Sequence, residues 1–375
     1  MKRPIVMLLL VALLIGAVGL WWSETRDYRW QIDPSLPLPE VPADNPMSAI
    51  KVELGRRLFY DTRLSVNNTM SCASCHIQAL AFTDGNPRAI GATGITHPRS
   101  SMTLVNVAYA SRLTWANQLL SQLEDQALTP LFGDSPVEMG MSGREDELTA
   151  MLRSDKRYAE QLPRAFPADE DPYSIVNVVR SISAFVRTII SIDSPYDHHL
   201  NGDEGALGEQ ALLGMELFFS ERLECFHCHG GFNFTDSTTH ANANVDRVGY
   251  HNTGLYNIDG AGAYPSDNTG LHDMTGKRRD MGRFKAPTLR NIAVTAPYMH
   301  DGSVLTLEDA ISHYERGGRL IAEGAYPGDG RRNPFKSEFI RGFELSDDER
   351  EALLAFLDAL TDQAVLADAR FSDPH

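Results

Sequence analysis

Apolar positions recur in two matched stretches of the chain. LGRRLFYDTRL (54–64) and LGMELFFSERL (213–223) share Leu, Gly, Leu, Phe, Arg and Leu in register, and in each copy the Leu and Phe spacing covers one helical face. Each copy also has a closing helix. SIVNVVRSISAFVRTII (174–190) carries apolar residues at helical spacing behind Pro172. LSDDEREALLAFLDALTD has Ser346 as N-cap and acidic residues in the first turn, which suits the positive end of the helix dipole. Between the copies SPYDHHLNGDEGALG (194–208), polar and glycine-containing, is read as a linker in which His198 and His199 are solvated. Residues 31–46 hold five prolines among polar residues and form an extended lead-in. Period-two alternation is scarce. The pattern predicts a mainly α, duplicated chain, with a lead-in at 25–46, one unit at 47–197 and a second at 198–375.

Length and charge narrow the class. A chain of 375 residues with 42% apolar content can fill two cores. Acidic residues outnumber basic ones by 50 to 34, a net charge of −16, and no Lys/Arg block stands out; nucleic acid and anionic membrane surfaces are poor partners for such a chain. Lys2 and Arg3 precede an uncharged run from Ile5 to Trp22, the order of a secretory n-region and h-region. No A-x-A stands at a convincing place beyond it, so 1–24 is either a removed signal peptide or a single anchor over residues 5–22. Both alternatives export the body of the chain.

The chemistry sits directly after each repeat. SCASCH (71–76) and ECFHCH (224–229) are both Cys-x-x-Cys-His, and they use all four cysteines of the chain: Cys72, Cys75, Cys225 and Cys228. Two thiols at this spacing add across the vinyl groups of haem while the next histidine, His76 or His229, meets the iron. A redox dithiol or half a zinc site explains one such motif; two copies, each closed by His with no cysteine left over, are the pattern of a protein with two c-type haems. Phe-Thr-Asp follows each motif, at 82–84 and 234–236. Bacterial haem is attached outside the cytoplasmic membrane, which makes the periplasm the expected compartment, and thiols taken by haem leave none for disulfides.

From about Leu54 to Leu360 the chain resembles the bacterial di-haem cytochrome c peroxidase family, which includes the MauG-like enzymes. LFYDTRLS, SCASCH, LEDQALTP, PVEMG, GRFKAPTLRNIAVTAPYMHDGS and TLEDAISHY carry the likeness. It implies two cytochrome c-like domains facing each other, a calcium ion between the haems, one haem that meets hydrogen peroxide and one that relays electrons. Ordinary members close the first iron with a loop histidine until the enzyme is reduced. That position is Ala92 here, and His97, beside Pro98, is read as a loop residue, so the resemblance implies an open iron on the His76 side. Glu138 of the PVEM motif would move the peroxide proton, with Gln126 and Pro130 lining the pocket. Between Pro130 and Glu138 the chain carries two residues more than the family's usual spacing.

At the second haem the resemblance places Tyr314 opposite His229, where ordinary members have methionine. A phenolate favours ferric and higher-valent iron, and His–Tyr ligation is the MauG-like choice. Trp115 stands in the segment of the inter-haem tryptophan relay. A surface tryptophan used by some members two residues before the second motif is Leu223 here. Thr295 and Pro297 match the calcium-binding carbonyls, and Ser100 stands where the family has asparagine.

The function implied is a MauG-like di-haem oxidase in which peroxide creates a high-valent two-haem state that oxidises a periplasmic partner protein. The combination of Ala92, Tyr314, LTWAN and LFGDSPVEMG is most similar to the subgroup found beside methanobactin genes, for which the oxidised group is a tryptophan on a copper-binding partner. A peroxidase fed by a small cytochrome c or cupredoxin is the second reading, and a two-haem electron carrier the non-enzymatic third.

Overall fold

The computed structural model describes residues 28–34 and 36–375; the predicted signal or anchor lies outside the described residues. No helix among the described residues is long and apolar enough to cross a membrane.

In the first half, α1 (Ala49–Tyr60) begins where the Ser48 hydroxyl accepts the Lys51 N–H, and it buries Leu54, Leu58 and Phe59. After it come α2 (Leu123–Phe132), α3 (Glu145–Ser154), α4 (Lys156–Ala165) and the predicted closing helix, α5 (Ile175–Val186), capped by Ser174. Helices α1 and α5 cross at Gly55, where a Cβ would run into the Ser181 carbonyl oxygen. The second half uses the same device. It contains α6 (Pro195–Leu200), α7 (Glu209–Phe218), α8 (Leu307–Glu315) and α9 (Asp347–Asp358), the last opened by a reciprocal Ser346–Glu349 capping box. Gly214 of α7 meets the Ala352 carbonyl of α9 as Gly55 meets Ser181. The glycine shared by the two repeats is thus a contact point between helices.

Strand is limited, among the described residues, to two antiparallel pairs of dipeptides: β1 (Tyr250–His251) with β2 (Phe284–Lys285), and β3 (Leu320–Ile321) with β4 (Gly328–Asp329). The fold is mainly α, with two cytochrome c-like halves. Phe59, Phe82 and Phe185 centre one core; Phe218, Phe234 and Phe356 centre the other. The halves are joined by two buried asparagines that the repeat places alike, in TLVN (103–106) and TLRN (288–291). Asn106 accepts the Ser191 N–H at 2.8 Å and donates to Asn233 at 3.1 Å. Asn291 donates to the Ser191 hydroxyl at 2.9 Å and accepts the Asp362 N–H at 2.9 Å. Both have positive φ, which asparagine tolerates better than most residues.

Two segments differ from the pattern reading. The stretch taken as a polar linker contains α6, because Ser194 and Asp197 cap each other and Pro195 occupies the first turn. Asp197 is also held by Arg290 through two bonds of 2.7 and 2.8 Å, and the pair is buried. His198 lies at the surface against Asp193. The end of the chain, expected within the second unit, crosses back: Val365 and Phe371 enter the first core, and the Tyr60 hydroxyl donates to the Phe371 carbonyl at 2.6 Å.

Candidate functional site

Each Cys-x-x-Cys-His motif forms one short helical turn, Cys72–Cys75 and Cys225–His227, directly followed by its histidine or second cysteine. The Phe-Thr-Asp segments then turn back. Phe82 and Phe234 take left-handed backbone conformations, φ 60° and 49°, and their carbonyls face the histidine rings. His76 Nδ1 lies 2.8 Å from the Phe82 oxygen, and His229 Nδ1 lies 3.2 Å from that of Phe234. A carbonyl only accepts, so each ring carries its proton on Nδ1 and leaves the Nε2 lone pair free. Burial lowers both histidines, which keeps them neutral. A neutral ring with its outer nitrogen anchored is what iron ligation requires.

The alternative uses of the cysteines fit less well. Burial, with the neighbouring thiol second, pushes Cys72 up to about 12; burial does the same for Cys75 and Cys225. Redox dithiols need the opposite shift. Among the described residues, the one metal-sized cluster of His, Cys, Asp and Glu side chains is Glu221, Glu224 and His227, which contains no cysteine.

A cavity of about 1010 Å³ opens beside the first motif, lined by Cys72, Cys75 and His76 on one side and by Gln126, Pro130 and Glu138 on another. The chain closes this second wall by backbone bonds. Met139 N–H reaches the Pro130 carbonyl at 2.9 Å and Met141 N–H reaches that of Leu131 at 2.9 Å, tying the PVEM segment to α2. The extra residues before Glu138 are taken up in a turn that brings Asp134 against Val137. Glu138 is mostly enclosed, and burial alone raises its carboxyl pKa. Gln126 Oε1 is buried without a hydrogen-bond partner among the described residues. A cavity bounded by a covalent attachment pair, a free imidazole nitrogen and two uncommitted polar groups fits a haem with room for a small reactant.

The Ala92 loop is bonded to the same wall, since Ala92 N–H donates to the Glu138 carbonyl at 2.7 Å. His97 also lines the cavity, but its Nδ1 accepts the Arg99 N–H at 3.0 Å, and burial holds the ring neutral. Its proton therefore sits on Nε2, which has no lone pair to offer a metal.

Tyr314, on α8, is half-buried, and its hydroxyl makes no hydrogen bond among the described residues. Burial pushes its phenol up, and the next influences are the charges of Cys228 and Cys225, so the hydroxyl faces the second motif. His313 turns elsewhere, Nε2 meeting the Thr253 carbonyl at 2.9 Å. Leu223 is buried.

Trp115 lines the cavity wall nearest the second half, its indole donating to the Ser100 carbonyl at 2.9 Å and its own carbonyl accepting from Lys285 N–H at 2.8 Å. Ser100 bonds the segment after Pro297, through its N–H to His300 at 2.9 Å and its hydroxyl to Met299 at 3.2 Å. The Thr295 and Pro297 carbonyls accept no hydrogen bond among the described residues. Such uncommitted oxygens suit a hard cation. Pattern reading gave no role to Lys285 or Arg290, although both stand in the quoted GRFKAPTLRN stretch.

The sequence profile of the family described as di-haem cytochrome c peroxidase matches residues 49–205. A cytochrome-c peroxidase, IdrP1, of Pseudomonas sp. (strain SCT) is 33% identical over 96% of this chain and 93% of its own length. The methylamine utilization protein MauG of Methylorubrum extorquens is 33% identical over 88% of this chain and 83% of its own. The crystal structure of a MauG-like protein associated with microbial copper homeostasis superposes with a TM-score of 0.90 at 49% identity, covering 92% of this chain and 99% of that one.

Proposed function

Because this chain belongs to the di-haem cytochrome c peroxidase/MauG family of peroxide-linked oxidoreductases with two c-type haems, we propose that it is a MauG-like oxidase of a periplasmic partner protein. Tyr314 carries this reading. Among the curated relatives a cytochrome-c peroxidase and MauG both stand at 33% identity, while the MauG-like protein of known structure stands at 49%. A phenol without a hydrogen-bond partner among the described residues, and within the electrostatic reach of Cys228 and Cys225, where a ferrous-stabilising thioether would suit electron uptake from a donor, favours a centre built to hold oxidising equivalents.

When bound, the haems supply the site of peroxide reduction and the store of two oxidising equivalents. The protein groups do the rest. His76 and His229 present Nε2, their rings fixed through Nδ1. Glu138, its pKa raised by burial, accepts a proton from one peroxide oxygen and returns it to the other. Gln126 offers the free amide that orients the reactant. Ala92 in place of a ligating residue, and the tautomer of His97, leave the first site open without prior reduction. Trp115 bridges the two sites, and calcium held by Ser100, Thr295 and Pro297 stiffens that bridge. The 49% identical relative associated with copper homeostasis supports a copper-handling partner oxidised at tryptophan.

Resting electron paramagnetic resonance decides between the readings. One high-spin and one low-spin haem, with a long-lived oxidised state on adding peroxide alone, is the expected result. Two low-spin signals support the electron carrier, and activity only after partial reduction supports the ordinary peroxidase. Mass spectrometry of a periplasmic copper-binding partner before and after treatment with enzyme and peroxide identifies the oxidised residue.

A further inference from the structure

The charged groups around the cavity divide into those with partners and those without. Arg99 lines it and spends its guanidinium on Asn268 at 2.9 Å and Asp273 at 3.2 Å. Lys285 lines it too and is only 7% exposed, yet its ammonium makes no hydrogen bond, ion pair or aromatic contact among the described residues. Its place is fixed by the backbone: β2 pairs with β1, and Lys285 N–H holds the Trp115 carbonyl at 2.8 Å. Asp236 is the acid whose field reaches it, but that carboxylate is taken by His251 at 2.6 Å and forms no ion pair with Lys285. Glu138 feels burial and no cation, so it is not the missing counter-charge.

An ammonium that faces the cavity from a buried side chain is destabilised unless an anion joins it, and burial pulls Lys285 only to about 8, so it stays largely protonated at neutral pH. The anion therefore arrives with a ligand of the cavity. Hydrogen peroxide is neutral, and a calcium ion near Ser100 has the same sign as the ammonium. Haem c brings two propionate carboxylates on each ring, and the cavity is the one in which the His76 motif attaches its ring. We propose that the Lys285 ammonium pairs with a haem propionate and fixes that carboxylate beside Trp115. This inference rests on the two-haem membership alone, and not on which partner is oxidised. A cation at the haem edge stabilises the more negative ferrous state, so Lys285 raises the midpoint potential of the haem it pairs with.

A crystal structure of the full, haem-loaded wild-type chain tests this directly. A propionate oxygen within hydrogen-bond reach of Lys285 Nζ is expected; Nζ bound to Asp236 or to solvent alone overturns the proposal. In solution, Lys285→Met is compared with Lys285→Arg after counting two haems per chain by pyridine haemochrome spectra. Lys285→Met is expected to lower one midpoint potential while the other holds, with Lys285→Arg close to wild type. Two unchanged potentials in Lys285→Met overturn the pairing. A Lys285→Met chain that fails to accumulate leaves the wild-type crystal structure to decide. A wild-type chain without two haems overturns the two-haem reading itself, a failure distinct from unmoved potentials.

Discussion

The Trp115 indole N–H points at the Ser100 carbonyl, 2.9 Å away, and so ties the wall of the cavity to the segment that adjoins Met299 and His300. The ring is held from both ends, because the Trp115 carbonyl also receives the Lys285 N–H. Under the proposed relay role, a ring held at both ends is suited to carry charge from one haem to the other. Trp115→Phe keeps an aromatic ring but loses the anchoring donor and the more easily oxidised indole. Both haems are expected to remain bound, while the near-infrared charge-resonance band formed on adding peroxide weakens or disappears. A band of wild-type strength would remove Trp115 from the relay.

Among the described residues no cation acts on Glu138, and burial raises its pKa. Its carboxylate is lost at a higher pH than that of an exposed glutamate. With Glu138 as the proposed proton acceptor, the rate at which peroxide oxidises the protein is expected to fall as pH drops through that raised value. Glu138→Gln is expected to slow this step by about 10²–10⁴-fold and to abolish the acid limb, with both haems in place. Stopped-flow spectra across pH measure both effects.

Local signals were legible in the chain and distant ones were not. The repeats, the capped helix at Ser346 and the Cys-x-x-Cys-His motifs each depend on neighbours within one or two turns, and the structure forms them where the pattern puts them. The role of Phe-Thr-Asp was hidden, because it lies in the left-handed backbone of Phe82 and Phe234 that aims a carbonyl at a histidine. α6 escaped because a short capped turn in a polar stretch has no apolar face, and its anchor, Arg290, is far along the chain. Extending the repeat from TLVN to TLRN would have found Asn106 and Asn291. Nothing local marks Lys285 as lacking a partner, since that depends on which distant carboxylates fail to reach it.

The Asp197–Arg290 pair links α6 to the segment that follows β2, and both side chains are buried. Burial acts to raise Asp197, but the bonds and charge of Arg290 together with the bonds from Ser194 outweigh it, and the net shift is downward. With the folded pKa below the unfolded one, the pair's contribution is complete above the ordinary aspartate range and is lost as pH falls through the folded value. Asp197→Asn strands a buried guanidinium and is expected to cost about 3–5 kcal/mol at neutral pH. The loss is expected to shrink on acidification, since wild type loses the same interaction there. Denaturant midpoints at neutral and acid pH check the sign, and a penalty independent of pH would contradict it.

Tyr314 is half-buried and has no hydrogen-bond partner among the described residues, and its largest influences after desolvation are the cysteines of the second motif. A phenol in such a place resists ionisation unless a metal takes the oxygen, because ferric iron replaces the proton that burial holds on. Two substitutions separate ligation from packing. Tyr314→Phe preserves the ring and deletes the oxygen, so the low-spin signal of the second haem is expected to convert to high-spin. Tyr314→Met supplies a thioether, keeps the iron six-coordinate and raises its potential, so the peroxide-oxidised state is expected to decay faster than in wild type. If Tyr314 only packed against the haem, Tyr314→Phe would leave the resting optical and paramagnetic spectra as they were. That single outcome would move the protein from the oxidase reading toward a peroxidase or carrier.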